Sequence, residues 1–138
     1  MAEEILKANK PELKINQPVE ARKYFENKLA FSLGPMEVEH FRHDGESDFN
    51  IIDVRATEDY DEGHVPGAVS LPEDQWESLK GLSRDKPNVV YCYSQTCHLA
   101  ARASLYFASR GFPVMEMDGG FEDYREHNLA VERGKKIA

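Results

Sequence analysis

A chain of 138 residues with 41% hydrophobic and 30% charged residues has the length for one α/β domain with a full core and little room for a second. Its formal net charge of −8 argues against nucleic acid as a partner, because phosphate contacts need a basic face, and it disfavours anionic membrane surfaces. A small anionic substrate stays admissible where backbone amides and a helix N-terminus create a local positive pocket.

Residues 1–34 read as an N-terminal arm followed by an amphipathic helix, and residues 35–138 as the main domain. The opening MAEEILKANKPELK has little apolar periodicity and no apolar core of the kind a signal peptide carries. No run approaches the roughly 20 apolar residues that span a bilayer, so the expectation is a cytoplasmic protein without membrane contact. From Pro18 to Leu33, Val19, Tyr24, Phe25, Leu29 and Leu33 fall near helical spacing, and Pro18 suits a first helical turn. Such a helix could cover the sheet, complete a dimer interface or present a surface to a partner; the oligomeric state is left open.

Gly34-Pro35 punctuates the chain, and Met36, Val38 and Phe41 predict a short helix that ends in the polar loop HDGESD. Beyond it, Ile51, Ile52 and Val54 form a short apolar run that reads as a buried strand, as do Ala68–Leu71, Val89–Tyr91 and Val114–Met117. Helices are expected over 57–62, 74–80 and 98–110, with another after Gly120. The alternation predicts a three-layer α/β fold, a parallel sheet of about five strands flanked by helices on both faces. Its functional crevice should lie at the carboxyl ends of the strands, near Asp53, Arg55 and Cys92.

Only two cysteines occur, Cys92 and Cys97, and both fall in one segment that runs from an apolar strand into a long helix. Two are too few for a disulfide scaffold, so reduced thiols with a function in the loop fit better. A cysteine that ends a strand and faces a helix N-terminus meets backbone N–H groups and the positive end of the helix dipole. Settings of that kind lower a thiol pKa to roughly 3.5–7.5 and would also hold the terminal anion of a persulfide. The competing reading of Cys92 is a buried strand cysteine that packs as a small hydrophobe.

From Asn50 to about Asn128 the chain resembles the rhodanese family, through IIDVR at 51–55, DYDEGHVPGAVSLP at 59–72, VVYC at 89–92, RGFPV at 110–114 and DGGFEDY at 118–124. The resemblance implies a parallel sheet flanked by helices and transfer of sulfane sulfur through a cysteine persulfide, with Cys92 as the nucleophile by position. It also implies a small anionic donor such as thiosulfate or a persulfide, a protein or thiol acceptor, and no cofactor. The loop departs from the family pattern. Gln95 stands where a glycine is usual, and His98 replaces the arginine that Cdc25-like phosphatases and arsenate reductases place six residues after the nucleophile to grip an oxyanion.

Around Cys92, the loop residues Tyr93, Ser94, Gln95, Thr96, Cys97 and His98, with Arg102 one turn further on, are the candidate substrate contacts. Cys97 could receive sulfur from Cys92, resolve it as a disulfide, or simply pack at the helix start. His98 and Arg102 share a helical face, where each could flank the pocket or point to solvent. Asp53, Arg55 and His64 read as framework: Asp53 accepting loop amides, Arg55 pairing with an acid, His64 hydrogen-bonding in the turn before a strand. The spacing of Cys92, Cys97, His98, His40, His43, His64 and His127 is not that of a zinc site, and no metal is expected. Two functions from different classes follow: a sulfurtransferase working through a Cys92 persulfide, or a non-catalytic or redox-sensing binding module using Cys92 and Cys97.

Overall fold

The computed structural model describes residues 13–43 and 48–134. The arm expected over the first fourteen residues lies outside this range through residue 12, as does the middle of the HDGESD loop. The chain divides into two compact units, one ending at Ala30 and the other beginning at Phe31.

The first unit holds α1 (Pro18–Ala30). Local terms account for this helix: Pro18 occupies the first turn, and Glu20 and Lys28 complement the dipole at the two ends. An Arg22–Glu26 ion pair of 2.6 Å spans one turn and contributes about 0.3–0.5 kcal/mol. No residue of α1 is buried. The helix expected to run through Leu33 stops at Ala30, and Ser32–Leu33 forms a strand instead.

The second unit contains β1 (Ser32–Leu33), α2 (Pro35–His43), β2 (Asn50–Asp53), α3 (Thr57–Glu62) and β3 (Val69–Ser70). A 3-10 helix (Glu73–Ser78) follows, then β4 (Asn88–Tyr91), α4 (Leu99–Ala108), β5 (Val114–Met117) and α5 (Gly120–Glu126). The strands make one five-stranded sheet in the order β1-β5-β4-β2-β3, and every pairing is parallel. The three-layer α/β fold expected from the alternating pattern is therefore present. The segment read as 74–80 is the 3-10 helix, two turns of tighter winding between Pro72 and a left-handed Leu79 at φ 56°.

Alternation along the central strands sorts their side chains into two cores, one on each face. Ile51, Val89 and Tyr91 pack with Val38 of α2, Tyr60 of α3, and Phe121 and Tyr124 of α5. Ile52, Val54, Val90 and Cys92 pack with Trp76 of the 3-10 helix and with Ala100, Ala103 and Phe107 of α4. Each fully buried aliphatic side chain contributes about 1.5–3 kcal/mol, so β2 and β4, covered on both faces, anchor the sheet. In α4 the spacing of Ala100, Ala103 and Phe107 puts all three buried residues on one stripe, and the two alanines let the helix lie close over the end of β4.

Candidate active site

Tyr91 ends β4, Cys92 follows it, and the two side chains pack on opposite faces of the sheet. On the Tyr91 side lies a closed polar network. The Tyr91 hydroxyl donates to Asp53 Oδ2 at 2.6 Å and accepts the Val65 N–H at 3.1 Å. Arg55 donates from Nη2 to the same Asp53 oxygen at 2.7 Å and to the Gly63 carbonyl at 2.6 Å, while its backbone N–H reaches Asp53 Oδ1 at 2.9 Å. Its guanidinium lies 4.1 Å from the Phe121 ring centroid. Asp53 and Arg55 are both buried. Burial and then the Asp53 carboxylate push the Tyr91 hydroxyl far above its usual range, so it stays a donor. His64, fully buried, hydrogen-bonds the Tyr60 carbonyl through Nδ1 at 2.7 Å and Glu132 through Nε2 at 3.1 Å, and its ring stacks on Tyr60 at 3.7 Å.

On the other side, Cys92 is 2% exposed beneath α4, and Cys97 is half-buried against the same apolar cluster. Both are free thiols. The loop between them closes through a turn in which Cys97 N–H donates to the Ser94 carbonyl at 3.1 Å. Cys92 Sγ in turn donates to the Cys97 carbonyl at 3.5 Å, which holds the two residues side by side.

Helix α4 starts without a side-chain cap, since His98 at the cap position makes no capping bond. The first amides of an uncapped helix need acceptors, and here sulfur provides them. The Ala100 N–H is directed at Cys92, the Leu99 N–H at Cys97, and the Tyr93 N–H at both. The amides that reach sulfur are thus those of Tyr93 and the first helical turn. Leu99 and Ala100 were invisible to sequence reasoning because their contribution is backbone alone.

The expected lowering of the Cys92 pKa is not what the geometry produces. Burial, then the hydrogen bond with Cys97, pushes the Cys92 thiol up from 9.0 to about 11, against the pull of the Ala100 and Tyr93 amides. Cys97 moves the other way. Burial raises it, but the Cys92 hydrogen bond, the Leu99 and Tyr93 amides and the charge of Arg102 together bring it below 9.0. The pair is therefore asymmetric, Cys92 the harder thiol to ionise and Cys97 the easier, because an anion is cheaper to hold near solvent and near Arg102.

The rest of the loop faces outward. Gln95, Thr96, His98 and Arg102 are exposed, and Ser94 Oγ lies 3.4 Å from Thr96 Oγ1. Tyr93 links the thiols to the far side of the loop: its hydroxyl donates to Asp59 Oδ2 at 2.7 Å and accepts the Ala56 N–H at 3.1 Å. There its ring lines a groove of about 830 Å3 together with Arg55, Phe121 and Arg125.

The loop is seated on the start of α5, where Phe121 N–H donates to the Cys92 carbonyl at 2.9 Å and Glu122 N–H to the Tyr93 carbonyl at 3.0 Å. That approach requires Gly120: a Cβ there, at φ 65°, would lie 2.6 Å from the Ser94 nitrogen. Among the described residues, no group of three His, Cys, Asp or Glu side chains is arranged to hold a metal ion. No helix among them is long and apolar enough to cross a membrane.

The sequence model of the Rhodanese-like domain matches residues 35–127. The chain belongs to the rhodanese-like domain family. A thiosulfate sulfurtransferase, GlpE, of Shewanella oneidensis is 32% identical over 80 residues, which is 56% of this chain and 77% of that protein. The HTH-type transcriptional regulator Rv0324 of Mycobacterium tuberculosis is 32% identical over 88 residues, covering 63% of this chain but only 39% of the regulator. Among solved structures, the BH2092 protein of Bacillus halodurans superposes with a TM-score of 0.77 at 33% identity, over 85% of this chain and 87% of that one. This rhodanese-like chain is thus similar over more than half its length to a sulfurtransferase and to part of a longer regulator.

Proposed function

We propose that this rhodanese-like protein is a sulfurtransferase that carries sulfane sulfur as a persulfide on Cys92. The observation that supports the reading is the position of Cys92 at the end of β4, with the N–H groups of Tyr93 and Ala100 directed at its sulfur from the uncapped start of α4. Those amides are placed to hold the negative charge of a persulfide, a larger and more acidic group than the thiol it replaces.

In the first half-reaction the Cys92 sulfur attacks the sulfane sulfur of thiosulfate or of a small persulfide donor. The donor's S–S bond breaks, sulfite or the donor thiolate leaves, and Cys92 becomes a persulfide. In the second half-reaction a nucleophilic acceptor, a thiol or a protein cysteine, takes the outer sulfur and returns Cys92 to its starting state. The Arg102 charge close to the thiols favours an anionic donor. Two free thiols in one loop suit a reducing compartment such as the cytoplasm.

The reading is tested by incubation with thiosulfate and cyanide, with thiocyanate as the product measured. Wild type should turn over and Cys92→Ser should fall to background, a loss of at least about a hundredfold for removal of a covalent nucleophile. Equal rates for the two proteins would overturn it.

A further inference from the structure

We propose that Cys97 is the resolving thiol of this reaction: it attacks the Cys92 persulfide, displaces the carried sulfur as hydrosulfide and closes a Cys92–Cys97 disulfide. The inference rests on the sulfurtransferase reading of Cys92 and assigns the fate of its sulfur.

Four observations on the loop carry it. The Cys92 thiol already donates to the Cys97 carbonyl at 3.5 Å, so the second cysteine sits beside the sulfur that would carry the persulfide. The turn closed by Cys97 N–H on the Ser94 carbonyl fixes that approach. The Tyr93 N–H is directed at both sulfurs, so one donor serves the charge wherever it resides in the pair. Finally, Cys97 packs against the apolar cluster that encloses Cys92, which keeps water from competing for the persulfide on that side.

The proton inventory closes. As the Cys92 sulfur attacks the donor its proton passes to the leaving sulfite, so loading does not draw on Cys97. The products are a Cys92 persulfide anion, a Cys97 thiol and the leaving sulfite. The Cys97 proton then passes to the terminal sulfur of the persulfide, and the Cys97 thiolate attacks the Cys92 sulfur. The Cys92 S–S bond breaks with its electron pair on the terminal sulfur, and hydrosulfide leaves. The sulfane sulfur is reduced to sulfide, and the two cysteines are oxidised to one disulfide. Regeneration requires an external thiol, which reduces the disulfide by exchange and is itself oxidised. A reaction that consumes hydrosulfide must therefore lie downstream, and a thiol reductant must meet the loop in every cycle.

The test loads the full chain, without air or added reductant, with thiosulfate labelled at its outer sulfur, and follows labelled sulfide and intact mass. Wild type should release one labelled sulfide per disulfide formed and end lighter by the two thiol hydrogens. Cys97→Ser and Cys97→Ala should instead retain the label as a persulfide on Cys92 and release none until a thiol or cyanide is added. A stable Cys92 persulfide in wild type, or label residing on Cys97, would overturn the resolving role while leaving the sulfurtransferase reading intact. Failure of wild type and both variants to acquire label would overturn both.

Discussion

Tyr91 and Cys92 are neighbours in sequence and opposites in chemistry. The Tyr91 face is a sealed network in which Asp53, Arg55, the hydroxyl and nearby backbone groups satisfy one another. The Cys92 face leaves a pair of free thiols of unequal acidity under an uncapped helix. One strand end thus supplies both a fixed support and a reactive group. The difference lies in whether the buried polar groups have permanent partners, because a satisfied network holds a shape and an incompletely matched one retains chemistry to spend.

The contrast is most severely broken from the sealed side. Asp53→Asn removes the charge that faces the buried Arg55 guanidinium and should cost about 3–5 kcal/mol, read as a fall in the urea midpoint with an unchanged slope. A negligible change would mean that the Gly63 carbonyl and the Phe121 ring suffice to hold Arg55. Next in size is Gly120→Ala, which drives a Cβ into the Ser94 nitrogen at 2.6 Å. It should cost about 1–3 kcal/mol and, at temperatures where the protein remains folded, also lower thiocyanate formation, because the loop carrying both thiols must shift. Retained activity at reduced stability would separate the seat of the loop from its chemistry.

The smallest effect concerns protons alone. Because Cys97 titrates below 9.0 and Cys92 at about 11, iodoacetamide at neutral pH should label Cys97 first, and Cys92 only as the pH approaches its own higher value. Arg102→Ala removes a positive charge that stabilises the Cys97 thiolate, so its labelling profile should move to higher pH. Mapping labelled peptides against pH checks both, and labelling of Cys92 first would reverse the order of the two acidities.

The fold was legible wherever a strand is an apolar run. Ile51–Ile52, Val89–Tyr91 and Val114–Met117 announce themselves by β-branched and apolar residues bounded by turns, and the alternation with helices leads to the parallel sheet. Ser32–Leu33 was not legible. Two residues carry no period of their own, and Leu33 also continues the helical spacing of Val19, Tyr24 and Leu29, so only pairing with β5 reveals the strand. At the site, the thiols and the strand-to-helix setting could be read from the residues, whereas Tyr91 looked like one more apolar strand position. Its link to Asp53 spans 38 residues of sequence and leaves no local trace. The reversal of the two thiol acidities was hidden for the same reason, since it depends on depth under α4 and on the position of Arg102.

The bare start of α4 bears on how this protein tolerates improvement. A serine or aspartate at position 98 would normally strengthen a helix by about 0.5–2 kcal/mol, because its side chain accepts an amide from the second or third helical residue. In α4 the second helical residue is Ala100, and its N–H is the one aimed at Cys92. A cap that takes the Ala100 N–H and a charged sulfur on Cys92 would compete for one proton donor. Thermal robustness and sulfur chemistry therefore draw on a single amide, and selection for either at this helix start acts against the other.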